Sequence, residues 1–267
     1  MHPIPVTERI SILYFDYGVL EQNGHSLVIA QEDKLTAIPV GKTAVLMLGP
    51  GVSVTHAAVK LCADEGALLL WTGEQGVRLY AAGNPHGKSS SLLFQAGLRN
   101  NPEKHLQVAR RIFELMFEKA PPSRYSVEQL RGLEGSLVKK WYLAKSDELG
   151  IQWSGKQFDL STPVNRALAG CNAALYGVTE AVILALGYSP SIGFVHSGNA
   201  RSFVFDLADT IKFKSVAPLA FDLAAQYQDT LNENRVRLAC RDMFFHTKIT
   251  NQLITALEFI LNADGID

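Results

Sequence analysis

The sequence predicts an α+β fold in which a small N-terminal β-rich domain is followed by a larger, all-α helical domain. In the first part of the chain, short runs rich in β-branched and aromatic residues alternate with turn residues, as in strands. Further on, apolar residues recur at helical spacing in several long segments. The polar stretch GNPHGKSSS between them has the composition of a linker. We therefore predict a β-rich domain over 1–84, a linker over 85–100 and a helical domain over 101–267.

The first domain is predicted to contain strands and one helix. In the helical segment SVTHAAVKLCADEG, Ser53 or Thr55 can cap the start and Gly66 can end the helix. The turn QNG separates the first two strands, and Gly-Pro-Gly at 49–51 punctuates a later one. The strand segments are RISILYFDYGVLEQNG, HSLVIAQED, LTAIPVGKTAVLMLGPG, ALLLWTG and GVRLYAAG.

The second domain is predicted to be a set of helices with recognisable start signals. Ser126 and Gln129 have capping-box spacing, and Thr162 followed by Pro163 indicates another helix start. Pro218 should break or kink its helix. The helical segments are NPEKHLQVARRIFELMFEKAPP, SVEQLRGLEGSLVKKWYLAKSDELG, TPVNRALAGCNAALYGVTEAVILALG, RSFVFDLADTIKFKSVAPLAFDLAAQY and NENRVRLACRDMFFHTKITNQLITALEFIL.

Composition and missing motifs exclude several classes of protein. The chain has 267 residues, 47% hydrophobic, with a net charge of −1 and three cysteines without a CxxC motif. We expect neither a disulfide framework nor a thiolate zinc site, and we expect a reducing cytoplasm. The N-terminus lacks signal-peptide features, and charged residues interrupt the apolar stretch 165–187, so we expect a buried helix and no membrane span. No Walker loop, GxGxxG or GxSxG is present, so nothing indicates ATP, a dinucleotide or a serine hydrolase.

The stretch GFVHSGNARSFVFDLADTIK combines His196 with Asp206 and Asp209 in apolar surroundings. Three residues apart on a helix, the two aspartates lie on one face, close enough to share a cation. With the imidazole they would suit Mg²⁺ or Mn²⁺ better than zinc. Alternatively, Asp206 bonds Arg201 or Lys212, or the pair faces solvent; spacing alone leaves these alternatives open.

Glu134 lies in RGLEGSLVKK between Gly132 and Gly135. Glycines within a helix often allow another backbone or a ligand to approach closely, although a surface glutamate paired with Arg131 explains the same pattern. If acidic and basic residues of this half share one face, the site would suit a phosphodiester. Tyr17 is placed to stack on a base or to pack at a turn.

A series of motifs resembles the Cas-one (Cas1) family of CRISPR adaptation integrases, in its type I-E branch. The match extends through the first domain in HPIPVTERISILYFDYG, IPVG and VTHAAVKLCADEGALLLWTGEQGVRLYA. Each motif alone is modest, but their order over nearly the whole chain is specific. In the second domain the motifs are SVEQLRGLEGSLVK, LYGVTEAVILALGYSPSIGFVHSG, SFVFDLADTIKF and VRLACRDMF.

The resemblance implies a catalytic site and a set of DNA contacts. The implied metal ligands are Glu134, His196 and Asp209, with Asp206 as a further catalytic residue that acts as ligand or support. Lys60 stands where the branch often has arginine, which keeps the charge but loses bidentate phosphate geometry. The implied DNA-binding residues are Tyr17, Lys60, Arg78, Lys212 and Arg241.

The resemblance also implies an activity. The protein would join the 3′-hydroxyls of short double-stranded DNA fragments to the repeat boundaries of a CRISPR array by transesterification, with Mg²⁺ or Mn²⁺ as the metal. It would act in the cytoplasm, away from membranes, as a homodimer bridged by the small Cas-two partner. Members of the branch often continue into a Pro-rich tail that helps hold the partner, whereas this sequence ends in LNADGID, which leaves partner docking open. Two alternatives are a metal-dependent nuclease that acts on branched DNA or fragment ends, and a non-catalytic DNA-binding subunit.

Overall fold

The computed structural model describes residues 10–74, 79–83, 89–153, 155 and 162–261. The chain divides into two compact units, the first comprising Met1–Leu93 with Glu180–Ser189, the second Phe94–Thr179 with Pro190–Asp267. The predicted order, a β-sheet domain followed by a mostly helical region, is confirmed. The boundary between the units falls inside a helix, Ser90–Asn100 (α2), although residues 85–100 were predicted to form a linker.

The first unit is built on a six-stranded sheet in the order β3-β2-β1-β4-β5-β6. Its three central strands, β1, β4 and β5, are parallel, and the outer strands pair antiparallel. Helix α1 spans His56–Glu65. The strands are β1 (Ile10–Asn23), β2 (Ser26–Gln31), β3 (Lys34–Ile38), β4 (Thr43–Val54), β5 (Leu68–Thr72) and β6 (Leu79–Gly83).

Both faces of the central sheet are buried, because alternate residues of β4 enter two different cores. Leu46 and Leu48 pack in a cluster that includes Ala58 and Cys62 of α1. The neighbouring residues of β4 pack in a second cluster that contains Ala181. This contact explains why residues 180–189, far along the chain, belong to the first unit.

Local sequence signals fix the ends of α1, whereas the Gly-Pro-Gly signal in β4 was misread. Thr55 caps α1 by accepting a hydrogen bond from the amide of Ala58 at 3.3 Å, and Gly66 ends it with a φ of 71°. By contrast, β4 continues through the Gly-Pro-Gly at 49–51, where a Cβ on Gly49 would lie 2.6 Å from the Tyr14 hydroxyl. These glycines therefore accommodate the register shift of the neighbouring β1.

The helices that follow α2 form most of the second unit, except that α5 ends within the first unit, and two of them begin at the predicted caps. Ser126 and Gln129 form the capping box, and the Thr162 hydroxyl accepts a hydrogen bond from the amide of Asn165 at 3.3 Å. The helices are α3 (Pro102–Phe117), α4 (Val127–Leu149), α5 (Pro163–Ala185), α6 (Ser202–Lys212), α7 (Val216–Tyr227), α8 (Glu233–Thr247) and α9 (Ile249–Leu261).

Two predicted helical segments are each divided into two helices. The break predicted at Pro218 lies earlier, between α6 and α7, because Pro218 sits in the first turn of α7, where a missing N–H leaves no bond unmade. The break between α8 and α9 falls at Lys248, whose φ is 51°. No glycine or proline announces that second break in the sequence.

Helix α5 is a core helix. By length and composition it is the one helix in the described part of the chain that could cross a membrane, a test that buried helices of soluble proteins also pass. Ala167, Cys171, Leu175 and Ile183 are completely buried within it, in agreement with the predicted buried helix.

Candidate active site

A buried carboxylate organises the loop that carries His196. Asp206 lies on α6 and is fully buried. Its carboxylate accepts hydrogen bonds from the amides of Phe194, Val195 and His196, the last two at 3.0 and 2.8 Å. A carboxylate that accepts several backbone N–H bonds is well solvated by the protein in place of water. Asp206 therefore fixes the loop backbone to α6.

The same carboxylate orients the imidazole of His196. The Nδ1 atom lies 2.8 Å from Asp206 Oδ1, and since a carboxylate only accepts, Nδ1 carries the proton and donates it. The Nε2 atom keeps its lone pair, and the side chain is 31% exposed, so an incoming group can reach the ring. This arrangement, with one nitrogen held by a carboxylate, is typical of metal-binding histidines.

The pKa of His196 reflects the acidic surroundings. Burial alone lowers the pKa, but the hydrogen bond and charge of Asp206, with the charges of Asp209 and Glu134, raise it above its ordinary value of 6.5. Asp209 and Glu134 thus both contribute to the electrostatic environment of this ring.

Asp209, although on the same helix face as Asp206, has a different partner. It is only 8% exposed, and its Oδ1 lies 3.3 Å from Nζ of Lys212. Burial lowers the pKa of Lys212, but Asp209, with Tyr176 and Tyr142, outweighs it and raises the pKa above the ordinary lysine value. Lys212 therefore places a permanent positive charge on Asp209, and the two aspartates do not share one cation.

Tyr176 is a site residue that sequence reasoning missed. It lies on α5, where its ring faces the Lys212 ammonium at 6.0 Å and the Phe205 ring at 5.1 Å. Burial raises the pKa of its phenol, and the charges of Asp209 and Glu134 raise it further against an opposing effect of Lys212. Within the apolar segment AALYGV, no pattern distinguishes this tyrosine from a packing residue.

Glu134 approaches the site from α4 and is half-buried. Its charge raises the pKa values of both His196 and Tyr176. Apart from the adjacent backbone of α4, no atom of the described residues lies within 4 Å of a Cβ built on Gly132 or Gly135, so these glycines do not serve close packing against another backbone.

The donor types suit Mg²⁺ or Mn²⁺, since carboxylates with one imidazole match these cations. Among the residues that the structure describes, however, no three histidine, cysteine, aspartate or glutamate side chains converge closely enough to hold a metal ion. Asp206 has its oxygens committed to the loop, and Asp209 holds the Lys212 ammonium. The donor types thus match these cations, while a cationic side chain holds one of the carboxylates.

The predicted DNA-binding residues have varied settings. Tyr17 is 49% exposed on β1, next to the register shift. Lys60 pairs with Asp64 at 2.6 Å on the exposed face of α1, and Arg241 bonds Asp242 through Nε and Nη2 on α8. Lys212 belongs to the buried pair described above. Arg78 lies outside the described residues.

Comparisons with known proteins cover both units. A family model described as "CRISPR associated protein Cas1" matches residues 12–120 and 114–258. The chain is 44% identical over 273 residues to "CRISPR-associated endonuclease Cas1" of Escherichia coli K12, covering 100% of this chain and 89% of the relative. A Geobacter sulfurreducens protein of the same description is 44% identical over 274 residues, with the same coverage. The crystal structure of a TtCas1–DNA complex superimposes with a TM-score of 0.83 at 34% identity, covering 97% of this chain and 100% of that one.

Proposed function

Because this chain belongs to the Cas1 family of CRISPR-associated proteins, we propose that it joins short DNA fragments to the repeat boundaries of a CRISPR array. Its 44% identity to the Escherichia coli protein supports a place in the type I-E branch. The related TtCas1–DNA complex supports DNA as the substrate. One observation carries the proposal: Asp206 holds Nδ1 of His196 and leaves Nε2 free, on a ring whose pKa the charges of Asp209 and Glu134 also raise.

The reaction is a transesterification. The 3′-hydroxyl of the fragment loses its proton as its oxygen attacks a phosphorus atom at the repeat boundary, a new P–O bond forms, and the P–O bond of the repeat strand breaks. The departing oxygen becomes a hydroxyl by taking up a proton, so the number of phosphodiesters is unchanged. No nucleotide cofactor is needed.

Glu134, His196 and Asp209 would hold Mg²⁺ or Mn²⁺. When bound there, the ion would lower the pKa of the attacking hydroxyl and stabilise charge on the phosphate. Asp206 keeps the imidazole in the tautomer whose Nε2 would serve as a ligand. Asp209 must exchange its bond to Lys212, and the released ammonium is then free to neutralise a phosphate oxygen.

Joining both strands of a repeat takes two separated sites. This requirement supports a homodimer, or a pair of dimers, bridged by the small Cas-two partner in the cytoplasm. Tyr17 and Lys60 of the first unit, with Arg241 of the second, are exposed and can contact DNA. Residue Arg78 is proposed for the same role on the resemblance alone.

A strand-joining assay tests the proposal. An end-labelled DNA fragment is incubated with repeat DNA, Mn²⁺ or Mg²⁺, and the protein with its adaptation partner. His196→Ala and Glu134→Ala should abolish the joined product while binding DNA like the wild type. The exposed His25→Ala is the matched control and should join normally. Normal joining by His196→Ala would overturn the assignment.

A second candidate is a nuclease that uses the same residues, favoured because the relatives are called endonucleases. Labelled forked and duplex DNA, incubated with and without an acceptor repeat, separate the two activities. Cleavage of forks without joined product would favour the nuclease. A protein that binds DNA but no metal would instead act as a binding subunit.

A further inference from the structure

We propose that His105 and Gln95 are positioning residues that fasten the His196 loop on the side opposite Asp206. They come from α3 and α2, respectively. The catalytic consequence of this inference rests on the proposed function, whereas the positioning itself rests only on hydrogen bonds within the second unit.

Each of the two residues binds a carbonyl of the loop. Nε2 of His105 lies 2.6 Å from the Phe194 oxygen, and Nε2 of Gln95 donates to the Ile192 oxygen at 2.9 Å. Gln95 is completely buried, an unusual place for an amide unless its bonds are needed. Two polar side chains thus hold alternate carbonyls of one short loop.

The tautomer of His105 follows from its other partner. Nη1 of Arg99 lies 2.9 Å from His105 Nδ1, and a guanidinium can only donate. Nδ1 of His105 therefore accepts, and Nε2 carries the proton that is donated to the Phe194 carbonyl. His105 and His196 are consequently held in opposite tautomers, since His196 carries its proton on Nδ1.

The backbone of Phe194 is hydrogen-bonded on both sides of the loop. The Phe194 carbonyl accepts from His105, while the Phe194 amide donates to Asp206. The buried Phe194 ring packs edge-on against Phe203 at 5.8 Å. Because a Cβ on Gly193 would collide with the His196 carbonyl, the turn before the histidine is also tight. A displacement of the Phe194 peptide would therefore be passed to His196.

Displacements of about 1 Å at a catalytic group can reduce rates by ~100-fold. Replacing His105 with leucine removes the bonds to Phe194 and Arg99 but retains bulk. His105→Gln can restore both bonds, because its amide nitrogen can donate to Phe194 and its oxygen can accept from Arg99. The two variants differ mainly in these bonds, which makes them a matched pair.

The experiment combines strand-joining kinetics with ¹⁵N NMR of the histidine rings in the full-length chain. His105→Leu should lower the joining rate by roughly 10- to 100-fold at saturating DNA, with little change in the DNA concentration needed for half-saturation. The His196 signals should lose the pure Nδ1–H signature. His105→Gln should restore rate and signature. If His105→Leu fails to fold, Gln95→Met replaces it, with the same expectations.

A wild-type rate together with an unchanged His196 signature in the leucine or methionine variant would overturn the inference, as would failure of His105→Gln to restore both. The NMR readout separates this inference from the proposed function. If the wild-type protein joins no strands, the proposed function fails, while the tautomer of His196 in the variants still decides whether His105 positions it.

Discussion

Replacing Asp206 with alanine should destabilise the second unit strongly, because the residue is fully buried and bonded. The wild-type carboxylate accepts three loop amides and the imidazole N–H of His196. Alanine leaves all four donors without their acceptor. We expect the loop to detach from α6 and the His196 ring to lose its fixed tautomer.

The size of the loss in the free energy of unfolding follows from these four hydrogen bonds. A buried donor left without a partner costs about 1–3 kcal/mol, so four would sum to about 4–12 kcal/mol if they were independent. They are not independent, and because the His196 side chain is 31% exposed, water can satisfy its ring. Removing one partner of a buried charged network typically costs about 3–5 kcal/mol. We expect the free energy of unfolding to fall by about 4 kcal/mol.

Chemical denaturation followed by tryptophan fluorescence measures this change. The chain has three tryptophans, and in a Trp71→Phe background the remaining Trp141 and Trp153 both report on the second unit. Asp222→Ala is the control, because that exposed side chain makes only a 3.9 Å pair with Lys145, and it should cost less than about 1 kcal/mol. A loss for Asp206→Ala no larger than for Asp222→Ala would refute the reasoning.

Three further predictions concern the surroundings of the site. Lys212→Met should tighten Mn²⁺ binding roughly tenfold, about 1.4 kcal/mol, because Asp209 no longer holds a competing cation; calorimetric titration measures it. Gly135→Ala should stabilise α4 by about 0.5–1 kcal/mol in thermal unfolding, yet reduce strand joining if DNA approaches beside Glu134. The pKa of His196 is raised in the folded state, so the protonated ring stabilises the fold. The free energy of unfolding of the wild type should therefore exceed that of His196→Gln most below pH 6.5, and the difference should shrink as the pH rises through the folded-state pKa of His196.

Each of these has a control or a contrary outcome. Lys214→Met removes a half-exposed lysine paired with Glu118 and should leave Mn²⁺ affinity unchanged. Gly97→Ala on α2 also has free space and should stabilise without affecting joining; equal joining by both glycine variants would show that DNA stays away from α4. A stability difference for His196→Gln that grows with pH would contradict the direction of the histidine shift.

Local signals predicted the elements well where the chemistry was local. The caps at Thr55 and Ser126 involve residues three positions apart, and the structure contains both. The Gly-Pro-Gly at 49–51 and residues 90–100 were misread because the neighbouring strand β1 and the buried contacts of α2 decide their structure. Such contacts depend on residues that are distant in sequence.

In the site, too, local spacing predicted some features, and contacts between distant residues decided the others. The i, i+3 spacing put Asp206 and Asp209 on one face, but a shared face did not reveal that one carboxylate holds the histidine loop and the other a lysine. Glu134 entered only through the family resemblance. His105 lies 89 residues from its partner Phe194, so no local pattern could associate them.

The most direct test of the central claim is the anomalous diffraction of crystals soaked in Mn²⁺. We predict a single strong peak within ligand distance of His196 Nε2, Asp209 and Glu134, with Lys212 moved away from Asp209 and Asp206 still bonded to His196 Nδ1. A peak at another position, or none at saturating Mn²⁺, would contradict the account.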